Sequence, residues 1–307
     1  MLNTIYGPFL AEVPDEDLIH RFLCKYGEWG LLECEFASTL VAPGFTVVDG
    51  GAFLGTFSLG MARLGAGRVV AVEPNPVVQA SLQHNLQRNS KIPFAIARAA
   101  IGVPGTSKQA LRTDPQNLGS TKLVPLSGDS SAEPITIRTL QDIRSDYGPY
   151  DLLKLDIEGA EFDGLRSDAA YIRDKCSAVI LECNDTKASD PIFEFLTWAG
   201  FQVHYFAFPA FNPANYLGAT DRIFPISYEA CLVGSKALRP KLSALHSSKE
   251  CILKEIHSPA DLEQATWLTP RWGKEEWVSM TRVELIALVG RLTQGNATAT
   301  EVPRANN

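Results

Sequence analysis

Short unbroken apolar runs alternate along this chain with segments whose apolar residues recur at helical spacing. Residues 45–49 (FTVVD) read as a buried strand ending in an acid, and 52–64 as a helix opening beside a cluster of glycines. Residues 69–73 form the next strand, 76–88 a helix with proline at its start, and 93–100 another strand. Strands that are apolar throughout need cover on both faces, and a βα repeat of roughly 20–25 residues supplies it. The alternation therefore predicts a doubly wound parallel sheet, with ligands at the carboxyl ends of its strands.

Leu18, Phe22 and Leu23 place a helix over 15–26, and 33–41 is a second short amphipathic segment. Residues 102–133 are rich in Gly, Ser, Pro, Thr and Asn with little periodicity, which predicts a functional loop or lid. Order resumes with an extended stretch at 135–138, a short helix at 140–144, a strand at 151–156 and helix over 159–173. A strand at 178–183, a helix at 191–199, a strand at 201–206 and a last strand at 230–234 follow. From 235 the chain reads as mainly helical, with an amphipathic segment near 281–292 and a polar end, GNATATEVPRANN, expected to be disordered. The predicted architecture is α/β with helices on both sheet faces: a helical segment at 1–44, the sheet domain at 45–234 and a helical extension at 235–307.

Composition narrows the partners. With 45% hydrophobic and 21% charged residues among 307, the chain is neither disordered nor collagen-like. Lys and Arg number 28 against 35 Asp and Glu, and a formal charge of −7 argues against a nucleic acid partner. Residues 1–234 hold 18 basic and 27 acidic side chains while 235–307 hold 10 and 8, a shift that supports the boundary near 235. No apolar stretch approaches the ~18 residues that span a bilayer, and the first residues lack a basic region before an apolar core. A cytoplasmic protein with no membrane partner is expected, and composition leaves a homo-oligomer open. The six cysteines make no CxxC pair and no zinc spacing with the five histidines, so they read as reduced core residues.

Chemistry concentrates after the first sheet strand. Asp49-Gly50-Gly51-Ala52-Phe53-Leu54-Gly55 fits D-x-G-x-x-x-G, and Glu73 closes the following strand. Glycine lets backbone approach a ligand where a Cβ would collide, and an acid at the second strand end accepts ribose hydroxyls, so the unit binds a nucleoside. A carboxylate at Asp49 repels a pyrophosphate but favours the amino group and sulfonium of S-adenosylmethionine, ranking that donor above a nicotinamide cofactor. Ala52 also stands where a dinucleotide loop has its middle glycine.

The order VVDGGAFLGTFSL, AVEPNPVVQASLQHN, AAIG, a loop carrying NLGST, DLLKLDIEGAE and ILEC resembles the FkbM family of S-adenosylmethionine-dependent methyltransferases, over about residues 26–207. The resemblance implies a seven-stranded Rossmann-like methyltransferase sheet and O-methylation of a hydroxyl on a glycan, polyketide or other natural product. It implies donor contacts at Asp49, Gly51, Gly55, Glu73 and Asn75, with adenine near Ala100. It adds Glu28, within Gly27-Glu28-Trp29, and Asn117 and Ser120 in the long loop. Residues 208–222 and the extension have no counterpart in the resemblance and are expected to select the acceptor.

Methyl transfer is an in-line displacement governed by positioning, to which a base removing the hydroxyl proton adds ~10²–10⁴-fold. Asp156 and Glu158, after the strand at 151–156, are the candidate catalytic acids, with Gly159 permitting a sharp turn. The bland alternative is that Asp156 caps a helix and Glu158 or Glu161 pairs with Lys154 or Arg166. Glu182, Asn184 and Asp185 end the next strand and with Asp156 offer oxygens to Mg²⁺, although a metal-free mechanism is preferred. His204 reads as structural, residues 205–216 as an acceptor wall or hairpin packing, and Trp267, Trp272 and Trp277 as docking the extension. The alternative function is a non-catalytic nucleoside-binding module that docks a biosynthetic partner, against which Asp156 and Glu158 argue.

Overall fold

A computed structural model of the chain describes residues 1–103, 109–114, 116–125, 135–183, 186–224, 226–242, 246, 250–270 and 280–293. In chain order the first elements are β1 (Leu2–Thr4), β2 (Gly7–Phe9), α1 (Leu18–Tyr26), α2 (Leu31–Ser38), β3 (Thr46–Gly50), α3 (Thr56–Leu64), β4 (Arg68–Val72), α4 (Pro76–Asn89) and β5 (Phe94–Ala97). Next come β6 (Ala100–Ile101), β7 (Gln109–Asp114), β8 (Asn117–Pro125), β9 (Ile137–Arg138), α5 (Leu140–Tyr147), β10 (Leu152–Leu155), α6 (Glu161–Arg166) and α7 (Ala169–Asp174). The chain continues with β11 (Ala178–Glu182), α8 (Thr186–Trp198), β12 (Gln202–Pro209), β13 (Tyr228–Ser235), β14 (Ile252–Glu255), α9 (Pro259–Trp267) and α10 (Arg282–Thr293).

Runs such as TVVDG, RVVAV and AVILE favour strands because β-branched side chains fit a pleated surface, and their burial on both faces matches a sheet covered by helices. The main sheet runs β14-β12-β13-β11-β10-β3-β4-β5. Strands β5, β4, β3, β10 and β11 are parallel, β13 lies antiparallel between β11 and β12, and β14 pairs antiparallel with β12. Residues of α2 and α3 share one apolar cluster with Val47, Val69 and Ile180, while α5 to α9 pack on the opposite face around Val48, Leu153 and Val179.

Several expectations change. The sheet has eight strands rather than seven, because Ile252–Glu255 pairs with β12 from His204↔Glu255 to Ala207↔Ile252. The expected boundary at 235 thus leaves a sheet strand on the far side, and Leu262 and Ala265 of α9 also enter the main core. Residues 109–125 form an antiparallel hairpin, β7–β8, where an irregular loop was expected. The helix expected over 159–173 is two helices, and β1–β2 is a hairpin whose three-residue strands are too short to show periodicity. Trp267 is 71% exposed rather than packed into the core, while Trp272, Trp277 and the polar end lie outside the described residues. The six cysteines are free, and five are buried as expected, but Cys24 is exposed rather than in the core; no helix among the described residues is long and apolar enough to cross a membrane.

The chain leaves β3 to build β4 and β5, then returns to place β10 on the other side of β3. Between the carboxyl ends of β3 and β10 lies the topological switch point, where such sheets open a crevice.

Candidate active site

The floor of the crevice is backbone. Gly51 has φ +79°, and a Cβ there would collide with the carbonyl oxygen of Asp156, so only glycine lets the two strand ends approach. The next turn is strained at Phe53, φ +47°, whose N–H donates to Glu73 Oε2 at 2.8 Å. Glu73 Oε1 accepts from the N–H of Asn75 at 2.7 Å, so two backbone amides fix this carboxylate. Burial nevertheless pushes its pKa up to about 7 against those two bonds. Glu158, φ +57°, is a second non-glycine residue with left-handed backbone, and strain of this kind gathers at functional sites.

Two cavities share that floor. A small one of about 50 Å³ lies between Glu73, Ala100 and Ile101 on one side and Leu111, Leu118 and Leu123 of the β7–β8 hairpin on the other. A larger one of about 360 Å³ extends over β10, β11 and β13 toward α2. Gly51, Phe53, Gly119, Asp156 and Glu158 line both.

Of the residues expected to meet the donor, Gly51, Glu73 and Ala100 line the small cavity, and Asn117 and Ser120 line the large one. Four others line neither. Asp49 is 0% exposed beneath the floor, where Oδ2 accepts from Ser58 Oγ at 2.6 Å and Oδ1 lies 3.9 Å from Lys154 Nζ, so it ties the strand to α3 and β10. Glu28 accepts from Asn212 Nδ2 at 2.7 Å and from the Tyr216 N–H at 2.9 Å, pinning residues 212–216. Gly55 caps α3 with φ +94°, a conformation that no residue with a Cβ adopts easily. Asn75 caps α4 by accepting from the Val77 N–H at 3.0 Å.

Both candidate acids stand at the junction. Asp156 Oδ2 lies 3.2 Å from Lys154 Nζ, and Glu158 Oε2 lies 3.4 Å from Lys122 Nζ of the hairpin. Burial, reinforced by Asp156, holds the Glu158 carboxyl above its ordinary range against the pull of Lys122. Burial alone would lower the Lys154 ammonium, but Asp156, Glu33 and Asp49 outweigh it and keep it charged. Lys154 is therefore the partner that strand alternation suggests. Glu161 shapes the turn by accepting from the N–H groups of Ile157 at 2.9 Å and Gly159 at 3.1 Å.

Carboxyl oxygens of Asp156, Glu158 and Glu182 approach within 4.8 Å of one another, the one described group of acids able to share a cation. Asn184 and Asp185 lie outside the described residues. His204 lines neither cavity and burial lowers its pKa. Phe208 and Ala210 of the aromatic segment do line the larger cavity.

Sequence reasoning missed Glu33, Glu229, Lys122 and Asp17. Glu33 carried a signal, an acid sharing a helical face with Phe36 and Ala37. Asp17 accepts from the N–H groups of His20 at 3.0 Å and Leu118 at 2.8 Å, tying α1 to the hairpin, a link no local pattern announces.

Residues 49–203 match the family described as the methyltransferase FkbM domain. The chain belongs to this family. The matched residues start at Asp49, within β3, and cover the carboxyl ends of β3, β4, β10 and β11 at the cavities, while β13 lies beyond them. No curated protein matches the chain. Among solved structures, an FkbM methyltransferase from Methylobacillus flagellatus KT is similar at 18% identity and TM-score 0.43, covering 67% of this chain and 48% of that one. This chain thus spans about half the length of that protein. A precorrin-6y C5,15-methyltransferase from Geobacter metallireducens GS-15 aligns at 13% identity and TM-score 0.42, covering 67% of this chain and 87% of that one. A Streptococcus pneumoniae protein assigned as a tRNA (m1A22) methyltransferase, in complex with S-adenosyl-L-methionine, aligns at 13% identity and TM-score 0.39, covering 69% and 74%.

Proposed function

We propose that this FkbM-family protein is an S-adenosylmethionine-dependent O-methyltransferase acting on a hydroxyl of a small molecule or glycan. What carries the reading is the wall common to both cavities, since a methyl donor and its acceptor must meet there in line. Glu73 suits the ribose hydroxyls, and Ala100, Ile101 and Leu118 suit the flat apolar faces of adenine. When bound, the donor supplies a methyl group on a sulfonium. The small cavity, at about 50 Å³, is far below the ~300 Å³ or more of ligand pockets, so donor entry requires the β7–β8 hairpin to lift. Glu158 takes the hydroxyl proton, its raised pKa strengthening it as a base, while Asp156, held by Lys154, orients the hydroxyl.

The decisive experiment incubates the protein with labelled donor and cell extract and identifies the labelled product by mass spectrometry. Glu158→Gln should lower kcat while leaving donor affinity nearly intact, because the lost interaction belongs to the transition state. A protein that binds NADH and not the methyl donor refutes the reading. Donor binding with no labelled product supports the non-catalytic alternative.

A further inference from the structure

The larger cavity carries more negative charge than a methyl donor neutralises. Five carboxylates line it: Glu33, Asp156, Glu158, Glu182 and Glu229. Lys154 pairs with Asp156, and Lys122 with Glu158. S-adenosylmethionine brings a sulfonium, an ammonium and a carboxylate, hence a single net positive charge to set against the rest. Among the described residues, no Lys or Arg forms an ion pair with Glu33 or Glu182, and no group donates a hydrogen bond to either carboxylate. Both side chains are half-buried in the cavity wall, and the Lys154 charge also acts on Glu33. Burial pushes the Glu33 carboxyl up to about 7 and that of Glu182 well above its ordinary range. Half-buried acids with no direct ion pair or hydrogen bond are costly to keep charged, and a cationic ligand lowers that cost.

The walls between these acids are aromatic. Trp29, Phe57 and Phe208 line the same cavity, and aromatic faces attract cations. Phe57 is already under Lys154, whose Nζ stands 5.2 Å from the ring centroid, which leaves Trp29 and Phe208.

Building on the methyltransferase reading above, we propose that the acceptor is itself a cation. It is a hydroxyl-bearing molecule with a protonated amino group, the ammonium held by Glu33 and Glu182 beside the rings of Trp29 and Phe208. The competing occupant is a divalent ion among Asp156, Glu158 and Glu182. The ammonium is favoured because two of those three acids already hold lysines, Glu33 lies outside the trio, and aromatic walls offer no oxygen ligands.

The test is calorimetry on the full chain saturated with S-adenosylhomocysteine. The titrants are 2-amino sugars and vicinal amino alcohols, each paired with its N-acetyl derivative, and separately MgCl₂. At least one amine should bind about tenfold or more tightly than its acetylated partner. Glu33→Gln and Glu182→Gln keep the side-chain shape and should each erase most of that preference while leaving S-adenosylhomocysteine affinity within about twofold. Amines that bind no better than their acetylated partners across the panel overturn the proposal, as does a preference surviving both substitutions. Mg²⁺ binding abolished by Glu182→Gln, without an amine preference, assigns the acids to a metal instead. Failure of S-adenosylhomocysteine to bind refutes the methyltransferase reading and this proposal with it, which separates the two failures.

Discussion

The two cavities meet at one wall and treat their acids in opposite ways. In the smaller, Glu73 receives N–H bonds from Phe53 and Asn75, and the hairpin leucines close over it. In the larger, Glu33 and Glu182 receive none from described groups, and the volume is about 360 Å³ against about 50 Å³. Backbone amides are positioned by the strand-turn-helix conformation itself, so the fold alone holds the Glu73 carboxylate in place. Charge on the other side is left for a ligand to balance.

The sharpest way to break this comparison is to remove the shared floor. Gly51→Ala would drive a Cβ into the Asp156 carbonyl at a positive φ, combining left-handed strain with overpacking, so stability should fall by about 2–5 kcal/mol in denaturant unfolding. Binding should be lost on both sides together. Loss of donor affinity alone would show that the two cavities do not depend on one wall.

This asymmetry also explains what was legible in the sequence. The floor of the smaller cavity is local: a β-branched run, glycines at Gly51 and Gly55, and Glu73 at the next strand end lie within 28 consecutive residues. The β3–α3–β4–α4 order could therefore be read directly from periodicity. Locality does not tell burial at Asp49, because a carboxylate ending a strand looks alike whether it lines the crevice or lies beneath it beside Ser58 and Lys154. The larger cavity draws on α2, β10, β11, β13 and the hairpin, and acids so far apart in sequence announce no common site. Strand β14 escaped notice for a related reason, since its four residues follow a stretch that composition reads as extension.

Glu33 gives a prediction of nearly equal size, this time in pH. Its folded pKa of about 7 exceeds the ordinary 4.5, so between these values the folded state holds a proton that the unfolded state has lost. By linkage, its contribution to stability is full below 4.5 and falls as pH rises to about 7. Glu33→Gln should therefore stabilise the ligand-free protein above pH ~7 by up to about 3 kcal/mol and leave stability unchanged near pH 4.5. Chemical denaturation at both pH values measures this. Equal curves for wild type and variant would mean that Glu33 already has a cationic partner.

Glu73 sharpens the opposite case. Glu73→Ala removes the proposed ribose acceptor and should weaken S-adenosylmethionine by about 1.5–3 kcal/mol in calorimetry. In the wild type, protonation as pH drops through about 7 takes away the anion that accepts ribose hydroxyls, so donor affinity should fall on acidification. The variant should have a flatter profile. Unchanged affinity at neutral pH would sink the ribose contact.

The smallest effect on stability belongs to the ion pair that joins the lid to the shared wall. Lys122 and Glu158 are 3.4 Å apart with side chains 48% and 18% exposed, and a pair so open to water contributes under ~1 kcal/mol. Lys122→Met should thus leave the melting curve almost unmoved. Its consequence is chemical, because the ammonium pulls down the Glu158 carboxyl that burial and Asp156 raise. Without it, Glu158 protonates at higher pH, and the acid limb of the kcat/KM profile should move upward while the plateau at high pH is kept. A profile that falls at every pH with its limb in place would mean that Lys122 serves to latch the β7–β8 hairpin and that Glu158 is not the group being titrated.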